Sequence, residues 1–67
     1  MEIIEAIAKK YEKISPILDE RMQRIWAGVE SSTIGFGGIA TVSKATGLSR
    51  NTIVRGEKEI EDSLRNL

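Results

Sequence analysis

The chain has 67 residues and contains neither cysteine nor histidine. Without cysteine no disulfide can form. A zinc site would need carboxylates alone, because the thiolate and imidazole ligands that zinc ordinarily takes are missing. Serine and aspartate residues occur, but none has a base partner at a recognisable catalytic spacing. We therefore expect no metal, no cofactor and no catalytic residue, and this fragment is not expected to be an enzyme.

Long apolar segments are also missing. The longest apolar runs are a few residues, far short of the roughly 20 that cross a bilayer, so no membrane partner is expected. The N-terminus, MEIIEAIAKK, places acids before bases and has no long apolar block, unlike a secretory signal. These features predict a cytoplasmic protein. The length predicts a single domain over residues 1–67, which buries only about 60% of its unfolded surface.

The chain has no excess of basic residues, and its net charge is zero. The charge is nevertheless unevenly distributed. Residues 1–36 carry five basic and six acidic side chains, and residues 59–67 carry one basic and three acidic side chains. Residues 37–58 carry four basic side chains and one acidic side chain, a net charge of +3. The positive charge therefore lies in one segment of the chain, and chance clustering of four basic residues is the alternative explanation.

Periodic apolar residues predict four helices. No segment alternates with the period of two that is typical of strands. The predicted helices cover residues 2–14, 17–32, 38–46 and 50–66. Pro16 ends the first helix, and Ser15 and Asp19 are the two candidate caps of the second. Trp26, the largest apolar side chain, is expected to anchor the core.

The run Gly35 to Ala40 fits G-x-G-x-x-A, a fingerprint of dinucleotide-binding loops. That fingerprint needs a preceding strand and an acidic residue about 20 positions later. Here it follows a predicted helix, and the first acid, Glu57, falls within another one. No nucleotide or other small-molecule substrate is therefore expected. The glycines are expected to make a tight entry into the third helix, so that this helix packs close to Trp26.

The segment after these glycines fits the spacing of a helix-turn-helix. Gly47 is the glycine that the turn needs in a left-handed conformation. Ser43 is the small residue that lets the two helices cross, although alanine is commoner there. Val42 and Leu48 are the apolar residues on either side of the turn. Ile53, six positions after the glycine, is expected to be buried in the core and to anchor the second helix there.

Ser49 adds a good N-cap at the start of the second helix of this unit. The sequence therefore predicts an all-α, four-helix helix-turn-helix domain, homeodomain-like or winged-helix-like without strands. Its helix-turn-helix core covers residues 38–66. A generic pair of helices joined by a Schellman turn at Gly47 is the alternative.

In a helix-turn-helix the second helix lies in the DNA major groove. With Ile53 pointing inward, we expect Arg50, Asn51 and Arg55 to project from the opposite side, with Val54 beside them. Arginine can bind guanine through two hydrogen bonds, and asparagine can bind adenine in the same way. These residues are therefore the candidates for reading base edges.

Other polar residues are candidates for holding phosphates. They are Ser49, Thr52, Lys58, Thr41 and Lys44. The backbone N–H groups of Gly37, Gly38 and Ile39 are expected to form a helix N-terminus suited to another phosphate. Arg21 and Arg24, in the second helix, are expected to be solvated or paired with acids.

The runs LDERMQRIWAGVE and GFGGIATVSKATGLSRNTIVRGEKEIE together resemble the N-terminal region of ISAzo-type insertion-sequence transposases, which are bacterial DDE transposases. The resemblance covers about Ser15 to Glu61. It includes an L-D-E-R and R-x-W-A helix, then G-x-G-G-I, then A-T-G-L-S-R-x-T-I-x-R-G. Phe36 stands at a position that is often polar in the family.

The resemblance implies binding to the terminal inverted repeats of a mobile element. Arg50, Asn51, Thr52 and Arg55 match the family's recognition-helix positions. The family's catalytic carboxylates lie in a downstream RNase H-like domain that this sequence does not contain. The chain is therefore expected to be an excised domain or a short relative that cannot itself transfer strands.

Double-stranded DNA is the partner that these patterns favour, and a protein with that partner is expected to be nucleoid-associated. The alternatives are a helical protein-interaction module, which would form a homodimer, and a small transcriptional regulator. Zero net charge, the amphipathic first helix and the apolar residues Leu64 and Leu67 favour the interaction module.

Overall fold

The computed structural model describes residues 2–67, and Met1, which the predicted domain 1–67 includes, lies outside the described residues. The described chain is all-α and contains no strand. It consists of α1 (Ile3–Ile14), a 3-10 turn (Ser15–Ile17), α2 (Glu20–Ile34), α3 (Gly38–Thr46) and α4 (Arg50–Arg65). The all-α, four-helix prediction is confirmed. No helix in residues 2–67 is long and apolar enough to cross a membrane.

The core takes one residue from each helix. Ile7 of α1, Ala27 of α2, Val42 of α3 and Ile53 of α4 are buried, and the last three have no exposed surface. Half-buried apolar side chains surround them: Trp26, Ile34, Ile39, Ala45 and Leu48. Helices α2, α3 and α4 pack on one another, and α1 packs chiefly on α3, so this small core needs all four helices.

The corner between α1 and α2 differs from the prediction. The second helix begins at Glu20 rather than at residue 17, because Leu18 is extended, with φ −104° and ψ 137°, and separates the turn from the helix. Ser15 belongs to the turn, and Asp19 is the N-cap. The Asp19 carboxylate accepts a hydrogen bond of 2.8 Å from the Met22 N–H.

The Gln23 side chain stabilises this corner through hydrogen bonds. Its side-chain amide donates to the carbonyls of Ser15 and Leu18, at 3.1 and 3.2 Å, and its oxygen accepts from the Tyr11 hydroxyl at 3.3 Å. The Tyr11 ring lies 5.6 Å from the Trp26 ring, centroid to centroid. Trp26 therefore packs against the edge of the core and on α1, whereas the prediction placed it at the anchor of the core.

Helices α2 and α4 cross with their backbones in contact. A Cβ atom built on Gly28 would lie 2.6 Å from the carbonyl carbon of Gly56. One built on Gly56 would lie 1.9 Å from the carbonyl oxygen of Arg24. No side chain fits at this crossing, so the two glycines set the angle at which α4 is presented.

The N-terminus of α3 packs on α2 in a similar way. A Cβ atom on Gly38 would lie 2.1 Å from the carbonyl oxygen of Ser31. The predicted tight entry into α3 is therefore present, but its close neighbour is the Ser31 backbone rather than Trp26. The glycine run joins two helices, which is not the strand-to-helix setting of a dinucleotide loop.

Candidate nucleic-acid interface

The turn between α3 and α4 has the predicted geometry. Gly47 is left-handed, with φ 80° and ψ −1°, and its N–H donates to the Ser43 carbonyl at 2.9 Å. The Ser43 hydroxyl donates to the Leu48 carbonyl at 2.8 Å, which ties the turn to α3. Ser43 therefore contributes a hydrogen bond that the commoner alanine cannot make.

Ile53 determines which side of α4 faces solvent. It is fully buried, and successive helical residues are about 100° apart. Asn51 and Arg55 therefore lie about 160° from Ile53, and Lys58 about 140° from it. All three are exposed. We call Asn51, Arg55 and Lys58 the outer face of α4.

Arg50 does not share this outer face. It is exposed, but it precedes Ile53 by three residues and therefore lies only about 60° from the buried direction. Val54 is on the same flank, about 100° from Ile53, and is 46% exposed. The predicted common surface thus has two parts, the outer face and a flank with Arg50 and Val54.

Ser49 and Thr52 form the N-terminal cap of α4. The Ser49 hydroxyl oxygen accepts from the Thr52 N–H at 3.1 Å, which confirms the predicted cap. The two hydroxyl oxygens are 2.8 Å apart, and either one can be the donor. Because only one hydrogen lies between them, the other hydroxyl hydrogen remains available for a phosphate.

The two α3 candidates, Lys44 and Thr41, occupy different positions. Lys44 is exposed and lies about 160° from the buried Val42, on the outside of α3. Thr41 is half-buried and lies about 160° around α3 from Ser43, whose hydroxyl contacts the turn. Thr41 is therefore on the side of α3 away from the turn, and the fold does not bring it to the outer face.

The N-terminus of α3 has fewer free donors than predicted. The Gly38 N–H donates to the Gly35 carbonyl at 2.9 Å and is buried with its residue. The expectation that Gly37, Gly38 and Ile39 all offer free N–H groups to a phosphate is therefore wrong for Gly38.

The acidic residue of the basic segment points away from the outer face. Glu57 is half-buried, and its carboxylate accepts a hydrogen bond of 2.8 Å from the Ser31 hydroxyl on α2. From residue 50 to residue 58, the exposed charges of α4 are therefore the basic ones, Arg50, Arg55 and Lys58. This stretch of α4 therefore exposes positive charge although the net charge of the chain is zero.

Four charged residues meet beside the outer face, and we call them the Glu59 cluster: Arg21, Arg24, Arg55 and Glu59. Arg24 donates to one Glu59 oxygen from Nη2 and Nε, at 3.0 and 3.3 Å. The Nε atom of Arg55 lies 3.5 Å from the same oxygen, and Nε of Arg21 lies 3.7 Å from the other. Arg24 is therefore paired with an acid, and Arg21 is mostly solvated with a long contact to the same acid, in line with the expectation that both are solvated or paired with acids.

A groove of about 300 Å³ lies next to this cluster, where the first turns of α2 and α4 meet. Its walls are formed by Glu20, Arg24, Leu48, Asn51, Thr52 and Arg55. No sequence pattern predicted that α2 contributes to the site. The pairing of Arg55 with Glu59 four residues later was detectable on one helix. The contact between Glu59 and Arg24 of α2 spans 35 positions and leaves no local pattern.

The chain matches no protein-family model, and comparisons with curated proteins and with solved structures found no match. The resemblance to transposases therefore stays a prediction. Within residues 2–67, no group of three or more acidic side chains is placed to hold a metal ion.

Proposed function

We propose that this chain binds double-stranded DNA through α3, the Gly47 turn and α4, with the N-terminal half of α4 in the major groove. The observation that carries the proposal is the outer face of α4. Burial of Ile53 points Asn51, Arg55 and Lys58 into solvent together, directly after a capped helix N-terminus. That arrangement suits a helix that reads base edges with its first turns.

Each residue class has a role in this complex. Asn51 and Arg55 read bases, because an amide can bind adenine and a guanidinium can bind guanine through paired hydrogen bonds. Lys58 and Lys44 contact phosphates, and the hydroxyl left free by the pair of Ser49 and Thr52 contacts another. Arg50, on the flank, contacts the backbone or an adjacent base. Thr41 has no role in this proposal because it lies away from the turn.

Arg55 can leave its intramolecular partner at low cost. Its side chain is 69% exposed, and its contact with Glu59 is long, at 3.5 Å. Exposed ion pairs of this kind contribute about 0–1 kcal/mol. Glu59 keeps its closer contact with Arg24, at 3.0 Å, after Arg55 departs. The free energy gained from a guanine contact therefore exceeds the free energy lost when the ion pair of Arg55 and Glu59 breaks.

We propose further that the DNA site is a terminal inverted repeat of a mobile element and that the chain is the N-terminal domain of a transposase. Support for this finer proposal comes from the resemblance over Ser15 to Glu61. In-vitro selection from a random DNA pool tests it, since the selected sequence should recur at both ends of a mobile element.

DNA binding itself is tested by titrating labelled DNA with the protein at several salt concentrations. With about four phosphate contacts, we expect affinity to fall roughly 100-fold between 50 and 200 mM salt. Lys44→Gln should reduce the salt slope by about one. Lys9→Gln, which removes an exposed charge from α1, is the matched control and should leave the slope unchanged. No binding to any selected pool at micromolar protein would refute the proposal.

Homodimer formation is a second candidate. Leu64 is 62% exposed and Leu67 is 98% exposed at the end of the chain described here. The apolar face of α1 does not favour dimerisation, because Ile7 is buried in the core of the same chain. The exposed leucines are the observation that remains in favour of this candidate.

Sedimentation without DNA tests this second candidate. We expect a concentration-dependent dimer that Leu64→Ser weakens and that Arg50→Ala leaves intact. Ile17→Ser is the control, since Ile17 is 77% exposed but lies in the turn between α1 and α2. A monomer at every concentration used for DNA binding would exclude the dimer.

A further inference from the structure

The Glu59 cluster places one carboxylate among three guanidinium groups, and the three are not equivalent. The side chains of Arg24 and Glu59 are only 16% and 21% exposed, and they make the two shortest contacts of the cluster. Arg55 and Arg21 are 69% and 59% exposed and make longer contacts. Arg24 therefore fixes Glu59 in place, while the two outer arginines can move.

A fixed carboxylate beside the outer face has a consequence for any nucleic acid that binds there. Glu59 cannot swing away with Arg55, because Arg24 holds it from α2 through two hydrogen bonds. When Arg55 turns toward DNA, the carboxylate stays one helical turn behind it, where it opposes the approach of a phosphate. Glu20, in the groove wall, adds a second negative charge nearby.

From this geometry we infer that Glu59 is a specificity-determining residue that acts by positioning Arg55, an inference that rests on the proposed DNA binding. On non-specific DNA, Arg55 would exchange Glu59 for a single phosphate contact, and the nearby carboxylate makes that exchange unfavourable. On the specific site, Arg55 gains a two-pronged contact with guanine, which compensates for the loss. Glu59 thus weakens binding to non-specific DNA more than binding to the specific site.

The test compares Glu59→Gln with wild type on the selected DNA site and on a scrambled duplex. Glutamine keeps an oxygen that can accept from Arg24 but removes the charge. We expect affinity for the scrambled duplex to rise roughly 10-fold at about 0.1 M salt, the effect of one additional phosphate contact, and the salt slope to steepen by about 0.9. Affinity for the specific site should change less, so the specificity ratio falls.

Glu61→Gln is the matched control. It removes the same charge from the same helix, and Glu61 pairs with the exposed Arg65 at 2.7 Å, outside the cluster. The specificity ratio should not change. In an Arg55→Ala background, Glu59→Gln should lose most of its effect, whereas general repulsion between a carboxylate and DNA would persist there.

The outcomes separate the two proposals. If wild type binds the selected site and Glu59→Gln leaves the ratio unchanged, the role of Glu59 is refuted and the proposed function stands. If wild type binds no DNA, both are refuted. Should circular dichroism show that Glu59→Gln does not fold, the double variant Arg24→Met/Glu59→Met repeats the test, because replacing both members of a largely buried ion pair with apolar residues is often neutral.

Discussion

Replacing Gly56 with alanine is expected to unfold the domain. In an exposed helix, this change stabilises by about 1 kcal/mol through helix propensity. At Gly56 the added Cβ would lie 1.9 Å from the carbonyl oxygen of Arg24 and 2.6 Å from its carbonyl carbon. Both are backbone atoms, so no rotamer change relieves the overlap and the helices must separate. We therefore expect the free energy of unfolding to fall, whereas helix propensity alone would raise it.

The magnitude follows from the small core. A domain of this size has roughly 3–10 kcal/mol of stability in total. Moving α4 away from α2 loosens the contacts of Ile53 and Ala27, which together supply half of the buried apolar residues. We expect a loss of several kcal/mol, comparable with the replacement of large core residues. Far-UV circular dichroism during urea titration should show little or no cooperative transition.

Gly35→Ala is the control for this experiment. Gly35 also has an unusual conformation, with φ 81°, but nothing lies within 4 Å of a Cβ built there. Only the backbone penalty for this positive-φ conformation, with ψ −123°, applies, and it is about 1–3 kcal/mol. If Gly56→Ala is as stable as Gly35→Ala, the close crossing of α2 and α4 is not what holds the domain together.

Replacing Asn51 or Arg55 with alanine is expected to relax the base preference of DNA binding. Each two-pronged contact contributes about 1–3 kcal/mol of discrimination, so each variant should lose roughly 5-fold to 150-fold at one position of the site. The two variants should differ in salt dependence. Asn51→Ala removes no charge and should leave the slope unchanged, whereas Arg55→Ala should also make it shallower. Competition with duplexes that differ at single positions measures both effects.

Arg65→Ala is the matched control for Arg55→Ala, because it removes the same charge from the same helix. Arg65 is 70% exposed, pairs with Glu61, and lies about 15 Å further along α4. It should reduce affinity slightly for all sequences and leave base preference intact. Equal loss of base preference in Arg65→Ala and Arg55→Ala would argue against the outer face of α4 as the reading surface.

The parts of the fold that sequence analysis predicted correctly are held by local interactions. The cap of α4 needs Ser49 three residues before Thr52, and the turn needs a glycine that accepts a positive φ at position 47. Such requirements leave a pattern in consecutive residues, so the sequence indicates α3, the turn and α4 directly. Burial of Ile53 then follows from its spacing to Gly47.

The start of α2 was predicted incorrectly although its signals are also local. Ser15 and Asp19 are both suitable caps, and propensity does not choose between them. Contacts with the rest of the chain decided the choice. Gln23 holds the carbonyls of Ser15 and Leu18 while receiving the Tyr11 hydroxyl from α1, and this network keeps Leu18 extended.

The sequence by itself determined that the chain is helical, where α4 begins, and that its first turns combine Asn51 and Arg55 opposite a buried isoleucine. Only the tertiary structure decided what surrounds that surface. It turned Glu57 toward Ser31 and set Glu59 between arginines of two helices. The physical reason is that these arrangements depend on the crossing at Gly28 and Gly56, where two backbones distant in sequence meet because neither has a side chain.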